Sequence, residues 1–413
     1  MFARLQANWE GCAMYDAIVV GARCAGSPTA MLLARQGHRV LLVDRAVFPS
    51  DTLSIHYIHQ PGVARLQRWG LLGQVAASNC PPIRRLDFDT GPFVLSGPPA
   101  PADGVADGYA PRRTVLDKIL VDAAAAAGAE VRERFTVEAL LTDGTRVTGI
   151  RGREHSRTHP VVEKARIVIG ADGPHSLVAR SVGAHKYNEK PVFTCAYYAY
   201  WRGVSVVSAE LYARPDRMII AAPTNHGQVV VIVYWPIRAF QEMRTDIERH
   251  FLEAAALAPR LAERLAKGER VERFRGTADL PNFFRKPCGP GWALVGDAGY
   301  HKDPITALGI SDAFRDAELL AEAVHEGLSG SRPMEEALAE YQRRRDQAAV
   351  PLYELTCQNA ALQPPPPEVQ ALLAALRANP EQTSRFFGAM TGAVPVADFF
   401  APENLKRVVG EVA

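Results

Sequence analysis

The chain has 413 residues, of which 47% are hydrophobic and 22% are charged, and its formal net charge is +2 at pH 7. This length indicates two domains, the composition is that of a globular enzyme, and the charge favours neither nucleic acid nor an anionic membrane as a partner. No apolar stretch reaches membrane-spanning length, and the six cysteines form no C-x-x-C pair. We therefore expect a cytoplasmic protein without a disulfide framework or a structural zinc site.

The first predicted elements form a βαβ unit. We interpret residues 1–13, which precede it, as a dispensable or misassigned start. An apolar run leads into Gly21 and Gly26, an alanine-rich helical segment follows, and a second apolar run ends at Asp44. In such a unit the helix N-terminus binds a pyrophosphate and the acid accepts ribose hydroxyls. The middle glycine of the pattern is replaced by Arg23, whose side chain either points away from the phosphates or contacts them.

The next segment is predicted to be a loop over residues 48–56, followed by a helix that begins behind Pro61 and ends near Gly70. His56 and His59 have the spacing of an H-x-x-H metal pair. No third group of ligands accompanies them, so no metal site is predicted.

Residues 83–110 hold a short strand and a loop rich in proline and glycine, and an amphipathic helix then runs from Arg112 to Gly128. Strands with an Asp-Gly turn at 143–144 follow. A further strand leads into Asp172 and Gly173, which places a carboxylate at the edge of the sheet where ligands bind in open α/β folds. The alternative is a structural turn with a helix cap.

Residues 192–238 change character and predict a separate antiparallel sheet, with a hairpin turn at Asn225–Gly227. Its aromatic residues are candidates for a substrate pocket, namely Tyr198, Tyr200, Trp201, Tyr234 and Trp235. Because side chains alternate between the faces of a strand, about half of these must point away from any one pocket.

The rest of the chain is predicted to be mostly helical, over 242–267, from Gly309 to about Leu328 and from Met334 to Ala348. A strand before Gly296 and Asp297 interrupts the helices. A rigid break at 364–367 precedes a short helical tail.

Three strand-to-turn motifs therefore occur in order, at Gly21–Gly26, Asp172-Gly173 and Gly296-Asp297. In this order and approximate spacing, over roughly residues 15–348, they resemble the class A FAD-dependent monooxygenases of the p-hydroxybenzoate hydroxylase type. The third motif matches that family at its aspartate, proline and second glycine, and departs from it at three positions, Tyr300, Ala307 and Ser311.

The resemblance implies an α/β fold with a Rossmann-like FAD-binding domain of the GxGxxG type, an inserted antiparallel β-sheet substrate domain and a C-terminal helical segment. The implied boundaries are 14–82, 111–185 and 281–345 for the FAD-binding domain, 83–110 and 186–280 for the substrate domain, and 346–413 for the tail.

The resemblance also implies a set of cofactor contacts: Gly21, Ala22, Arg23, Cys24, Ala25, Gly26, Asp44, Arg45, Ser54, Arg113, Val137, Asp172, Asp297, Pro304, Gly309 and Ile310. In this assignment Asp297 binds the ribityl chain, and the amides of Gly309 and Ile310 reach the pyrimidine end of the flavin. Pro304 and His56 lie closest to the reaction. Arg113 is either a cofactor contact or a charge on the helix surface.

The implied activity is reduction of FAD by NADH or NADPH, reaction with O₂ to a C4a-hydroperoxide, and hydroxylation of a small aromatic substrate. Three alternatives stay open: a flavin-dependent halogenase, a reductase or dehydrogenase on the same scaffold, and a non-catalytic flavoprotein-like binding protein. The W-x-W-x-I-P signature of halogenases and the Y-x-W-x-F-P signature of geranylgeranyl reductases are both missing. The sequence does not specify the substrate, the reductant or the oligomeric state.

Overall fold

The computed structural model describes residues 14–54, 56–155 and 159–410, so the interpretation of residues 1–13 lies outside the described part of the chain. The strands, in chain order, are β1 (Tyr15–Val20), β2 (Val40–Val43), β3 (Leu86–Asp89), β4 (Val94–Gly97), β5 (Glu130–Arg132), β6 (Phe135–Asp143), β7 (Arg146–Glu154), β8 (Val161–Gly170), β9 (Lys186–Lys190), β10 (Thr194–Arg202), β11 (Ala209–Arg214), β12 (Arg217–Pro223), β13 (Gln228–Pro236), β14 (Glu269–Arg270), β15 (Arg275–Thr277), β16 (Asn282–Arg285), β17 (Cys288–Gly289), β18 (Trp292–Leu294) and β19 (Tyr300–His301).

The α-helices, in chain order, are α1 (Gly26–Arg35), α2 (Gln60–Arg68), α3 (Leu72–Ala77), α4 (Arg113–Ala126), α5 (Leu177–Ser181), α6 (Phe240–Met243), α7 (Ile247–Ala256), α8 (Pro259–Lys267), α9 (Gly309–Ser329), α10 (Met334–Ala360), α11 (Pro367–Leu376), α12 (Pro380–Thr391), α13 (Val396–Phe399) and α14 (Pro402–Gly410). None of these helices is both long enough and apolar enough to cross a bilayer.

The first sheet is built around β1, which lies between β2 and β8 in parallel register. Val19 stands opposite Leu42 of β2 and Ile169 of β8. β5 extends the parallel sheet beyond β2, and β18 extends it beyond β8. The hairpin of β6 and β7 joins β8 in antiparallel order. β1 and β2 are apolar and almost wholly buried because helices such as α1 cover the sheet, as is usual for parallel strands.

The turn between β1 and α1 has no room for side chains at its glycines. A Cβ atom on Gly21, whose φ is +105°, would lie 2.4 Å from the carbonyl oxygen of Ala171. A Cβ on Gly26 would lie 1.7 Å from the carbonyl oxygen of Gly21. Only glycine fits both positions, so the sequence specifies this close approach of helix and strand. The predicted βαβ order is confirmed.

The second sheet runs in the order β14, β10, β13, β12, β11, β3 and β4, with β15 beside β10. The predicted hairpin at Asn225–Gly227 is confirmed, since β12 and β13 pair in antiparallel order on either side of it. The predicted antiparallel sheet of residues 192–238 is confirmed, and β3, which lies outside that range, joins it by pairing with β11 in parallel order. These two strands are far apart in sequence, so no local turn imposes an antiparallel pairing on them.

The two faces of this sheet carry different aromatic residues, as the alternation predicts. Tyr198, Tyr200 and Tyr234 are buried on one face, in an apolar cluster with the C-terminal helices. Trp201 and Trp235 are buried on the other face, in a cluster with α7 and α8. Of the five candidate substrate-pocket residues, three therefore lie on one face of the sheet and two on the other.

Two predictions about the C-terminal part are wrong in length. α10 does not end at Ala348 but continues through Pro351 to Ala360, across the implied domain boundary at residue 345. The reason is tertiary packing, because Tyr353 and Cys357 of the extended part are buried and offset the effect of the proline. The expected short tail comprises the four helices α11 to α14, which pack on the tyrosine face of the second sheet.

Candidate active site

The three motifs found in the sequence meet in space. The turn at Gly21 lies against Ala171, the residue before Asp172. A Cβ atom on Gly296 would lie 2.6 Å from the side chain of Ala25, so the third motif lies against the N-terminus of α1. The edges of β1, β8 and β18 thus form one site at the carboxyl ends of parallel strands, where open α/β sheets bind ligands.

The N-terminus of α1 has no side-chain cap. Its N-cap residue Ala25 provides no side-chain hydrogen bond, and the first turn carries no acidic residue. The first amides of a helix have no partner within the helix, and they favour negative charge. Together with the close glycine turn, this forms a cradle that fits a pyrophosphate.

Asp44 follows β2 directly and contacts the same turn. One carboxylate oxygen accepts a hydrogen bond from the amide of Ala22 at 2.7 Å, and the other accepts one from the amide of Ala46 at 2.7 Å. Its carbonyl oxygen accepts a bond from the amide of Phe135 at 2.8 Å, which brings the start of β6 to this corner. The implied adenine-side residue Val137 is half-buried on β6, two positions further on, whereas Arg45 is exposed.

Arg23, Cys24 and Arg113 converge on Asp117, a residue of α4 that the sequence analysis did not identify. Arg23 Nη1 and Arg113 Nη2 form ion pairs with its carboxylate, whose side chain is wholly buried. The thiol of Cys24 contacts Asp117 Oδ1 at 3.4 Å. The spacing of four residues between Arg113 and Asp117 on one helix was the available signal. Of the two alternatives for Arg113, the surface charge is excluded because its side chain is only 10% exposed.

Burial and neighbouring charges shift the pKa values of Arg113 and Cys24. Burial lowers the pKa of Arg113, but its charged neighbours, among them Asp117 and Asp297, outweigh this effect and raise the pKa above its ordinary value. Burial also raises the pKa of the Cys24 thiol, which therefore stays protonated. The group holds two guanidinium ions on one buried carboxylate beside the predicted pyrophosphate cradle.

Asp172 binds backbone at the start of α5. Its Oδ2 accepts hydrogen bonds from the amides of Leu177 at 2.7 Å and Val178 at 3.3 Å. Its Oδ1 is buried and has no hydrogen-bond partner in the described structure. Burial raises the pKa of this carboxyl, although the hydrogen bonds oppose the shift. One oxygen therefore binds the start of a helix, as in the structural alternative.

Asp297 and the N-terminus of α9 face each other across a small pocket. The pocket is lined by Gly296, Asp297, Tyr300, Lys302, Gly309, Asp312 and Ala313. Asp297 is exposed, and no side chain caps the short helix that contains it. Gly309 begins α9 with open space where a Cβ would lie, and Leu308 before it provides no capping side chain. Ile310 is buried behind it.

Lys302 and Asp312 are pocket residues that the sequence analysis missed. A lysine five residues after Asp297 and an acid in the first turn of a helix are common on protein surfaces, so neither gave a signal. In the structure both are buried and form an ion pair.

Pro304 begins a short helical turn over Pro304–Thr306 and is half-buried. Asp303 before it is fully buried and accepts a hydrogen bond from Thr194 of β10 at 2.6 Å. Burial raises the pKa of Asp303 to about 6. The segment expected at the flavin face is thus tied to the second sheet.

His56 lies between the predicted flavin loop and the second sheet. It is buried with a φ of +48°, and its ring stacks on Tyr200 with centroids 5.7 Å apart. Ser54 Oγ accepts a hydrogen bond from the backbone amide of His56 at 3.1 Å. The carbonyl oxygen of Ser54 lies 3.0 Å from His56 Nδ1. A carbonyl oxygen can only accept, so Nδ1 carries the hydrogen and Nε2 is an acceptor. This buried Nε2 has no hydrogen-bond partner in the described structure.

Burial lowers the pKa of His56 to about 3, so the ring is neutral at pH 7. The loop that carries it is held from both sides. Arg23 Nη2 donates to Ser50 Oγ at 3.1 Å, and Arg275 of β15 pairs with Asp51 at 2.8 Å. The loop therefore connects the glycine turn with the second sheet.

The comparisons with known proteins agree with this geometry. A family model described as an FAD binding domain matches residues 14–356. The chain is 26% identical over 339 residues to tryptophan 2-halogenase of Chondromyces crocatus, covering 79% of this chain and 64% of that protein, which is less than two thirds of its length. It is also 26% identical over 352 residues to digeranylgeranylglycerophospholipid reductase 1 of Methanococcoides burtonii, covering 80% of this chain and 79% of that protein.

Several solved structures share the fold. A flavoprotein/dehydrogenase from Cytophaga hutchinsonii has a TM-score of 0.82 at 20% identity, covering 97% of this chain and 99% of that one. A myxobacterial chondrochloren halogenase has a TM-score of 0.79 at 22% identity, covering 97% of each chain. PqsL, a probable FAD-dependent monooxygenase from Pseudomonas aeruginosa, has a TM-score of 0.70 at 21% identity, covering 91% of this chain and 99% of that one. The predicted α/β FAD-binding fold is confirmed, and proteins described by three different reactions share it.

Proposed function

This chain belongs to the FAD binding domain family, and from that premise we propose that it is a monooxygenase that uses NADH or NADPH and O₂ to hydroxylate a small aromatic substrate. The observation that carries the proposal is one site at which three features meet: the three cofactor motifs, a tyrosine-lined sheet face and the unpartnered Nε2 of His56. When bound, FAD supplies the redox and oxygen chemistry. The chain itself has to bind, orient the substrate and exclude water.

The residues at the site fit both halves of FAD. We assign the pyrophosphate to the uncapped N-terminus of α1 and the adjacent ribose to Asp44, whose carboxylate already lies at the same turn. We assign the ribityl and pyrimidine groups to Asp297 and the N-terminus of α9, which face each other across one pocket. A helix N-terminus offers amide donors to the carbonyl oxygens of a flavin.

His56 orients the substrate by accepting a hydrogen bond. A group with a pKa of about 3 is a weak base at neutral pH, so we do not assign it the removal of a proton. Its Nε2 is instead a buried acceptor without a partner in the described structure, and its ring stacks on Tyr200, which lies on the same sheet face as Tyr198. An unpaired buried polar atom is unfavourable, so a substrate that donates a hydrogen bond here is selected over one that does not.

The C-terminal helices exclude water from this face. Leu376 of α11 and Phe387 of α12 are buried in the same cluster as Tyr198 and Tyr234. Water would allow side reactions of reactive intermediates and weaken the electrostatic interactions in the site, so a dry cover is a requirement of the proposed reaction.

Halogenation is the second candidate, since the chain is 26% identical to a tryptophan 2-halogenase over 79% of its length. By resemblance, Asp303 and Pro304 are shared with halogenases. The sequence disfavours halogenation, because the W-x-W-x-I-P signature of halogenases is missing. The nearest string, Tyr-Trp-Pro, ends β13 of the second sheet. We therefore place oxygenation first.

The proposal is tested with the FAD-loaded protein and a panel of phenols, aromatic acids and indoles, by following substrate-stimulated oxidation of NADH and NADPH. His56→Asn tolerates the positive φ but withdraws the ring acceptor, so we expect KM for a stimulating substrate to rise about tenfold. Trp201→Phe lies on the opposite face of the sheet and should leave KM unchanged. An unchanged KM in the His56 variant would contradict its assignment to the substrate.

A further inference from the structure

The pocket between Asp297 and the N-terminus of α9 has a buried lysine in its wall. Lys302 is 7% exposed, and its Nζ forms an ion pair with Asp312 of α9. Lysine is almost never buried unless it is paired. A buried ion pair is also weak evidence for stability, because desolvation of both charges opposes their attraction. The position of this pair in the pocket therefore calls for a functional explanation.

The carboxylate that holds Lys302 is shared with a second cation. Arg315 Nη1 pairs with Asp312 Oδ1 at 2.8 Å. Burial favours protonation of Asp312, but Lys302 and Arg315 outweigh this effect and hold its pKa below the ordinary value. Arg315 also pairs with Asp316, whose pKa is raised by burial. Asp312 thus serves two cations, and one of these, Arg315, is shared with a second acid, Asp316.

Two of the titratable groups near Lys302, Tyr300 and His59, add no negative charge at neutral pH, and the acid Asp297 lines the same pocket. The pKa of Tyr300, whose ring centroid lies 5.4 Å from Lys302 Nζ, is raised well above its ordinary value by burial, so the phenol stays neutral. Burial lowers the pKa of His59 to about 4, so that ring is neutral as well. The uncapped N-terminus of α9 adds the positive end of a helix dipole at Gly309.

We propose that Lys302 tunes the reduction potential of the bound FAD, acting from the pocket wall at the pyrimidine end of the flavin. The inference rests on the proposed FAD site and not on the reaction that the enzyme catalyses. A reduced nicotinamide delivers two electrons and one proton, so the reduced flavin keeps one negative charge. A cation in this wall stabilises that charge, and charge near the ring is a known means by which proteins set flavin potentials. Asp312 is the counter-ion of this ammonium and a negative charge in the same wall.

The test is the midpoint potential of FAD in the holoenzyme, measured without substrate or O₂ against a redox dye. Lys302→Met should shift the reduction equilibrium at least tenfold toward oxidised FAD, which is about 30 mV for a two-electron couple. Lys302→Arg keeps the charge and should restore most of the potential. Lys190→Met is the matched control, because Lys190 pairs with Glu354 at 3.4 Å and does not line the pocket.

Asp312→Asn removes the negative charge and should shift the same equilibrium in the opposite direction. A merely structural role would not produce shifts of opposite sign, and this variant decides the question if Lys302→Met does not retain FAD. Equal potentials in wild type and Lys302→Met, or a loss in Lys302→Arg as large as in Lys302→Met, would overturn the proposal. Failure of the proposed FAD site is distinct, since wild-type protein would then bind no flavin.

Discussion

Thr194, the first residue of β10, donates a hydrogen bond at 2.6 Å to the carboxylate of Asp303, the residue that precedes Pro304. Both residues are fully buried. Asp303 Oδ1 also accepts a hydrogen bond from the amide of Ile305 at 3.1 Å. The backbone amide of Asp303 donates a hydrogen bond to Asn282 Oδ1 at 2.7 Å. One buried carboxylate thus joins the tyrosine-bearing sheet to the segment that we place at the flavin.

This carboxylate should make stability depend on pH. Burial raises the pKa of Asp303 from 3.8 to about 6, despite the hydrogen bonds from Thr194 and Ile305. The folded state therefore holds the proton more tightly, so the contribution to stability is full below pH 4 and is lost as pH rises through 6. Asp303→Asn does not titrate. Its free energy of unfolding relative to wild type should rise by about 3 kcal/mol between pH 4 and 7.

Urea unfolding of both proteins across this range measures that difference. His56 and His59, whose pKa values are lowered by burial to about 3 and about 4, destabilise both proteins equally as pH falls below 6.5. Their effects cancel in the comparison. A difference between the variant and wild type that stays constant with pH would show that Asp303 is not the titrating group.

Arg23→Gly restores the glycine that the nucleotide-binding pattern expects, yet we predict that it destabilises the protein. The substitution removes one of two arginines from the wholly buried Asp117 and also the hydrogen bond to Ser50. Arg113 still pairs with Asp117, so the expected loss is about 1 to 3 kcal/mol of unfolding free energy. FAD affinity should change less than threefold, because the turn amides remain.

Denaturant unfolding and FAD titration separate the two roles of Arg23. Arg68→Ala is the control, because Arg68 forms a solvent-exposed ion pair with Glu318. It should lower the free energy of unfolding by less than about 1 kcal/mol. A tenfold loss of FAD affinity with unchanged stability of Arg23→Gly would instead assign the guanidinium to the phosphates.

Asp44→Ala should weaken FAD binding about tenfold or more, since it removes an acceptor for ribose hydroxyls as well as the bond to Ala22. Asp16→Ala is the matched control. Asp16 accepts the amide of Arg39 at 2.9 Å at the other end of the same two strands, so its removal disturbs the sheet without touching the site. Quenching of flavin fluorescence gives both affinities, and equal values in the two variants would remove Asp44 from the site.

Asp297→Asn separates a ligand from a structural residue. Asp297 is exposed and no side chain caps its short helix, so the apoprotein should unfold within about 0.5 kcal/mol of wild type. Retention of FAD through gel filtration should fall, because the charged acceptor is lost. A variant that stays fully loaded would contradict the assignment to the ribityl chain.

Local chemistry explains what the sequence could predict. The turn at Gly21 and Gly26 was predictable because its geometry leaves no space for a side chain. The division of the sheet's aromatic residues was predictable because strands alternate with period two. Both features leave a local pattern in the sequence, the glycine spacing in one case and the alternation in the other.

Features that depend on distant residues were not predictable. Asp117 lies 94 positions from Arg23, and its role appears only when α4 packs beside α1. The passage of α10 through Pro351 is stabilised by burial of Tyr353 against another element, which outweighs the local preference of proline. The buried position of Lys302 depends on its ion pair with Asp312, which belongs to α9.

The most direct test of oxygenation is the mass of the product formed under ¹⁸O₂ by the FAD-loaded enzyme with NADH or NADPH, a stimulating aromatic substrate, and both chloride and bromide present. We expect a product that carries one ¹⁸O atom and no halogen. A halogenated product, or a reduced or desaturated product without the label, would contradict it.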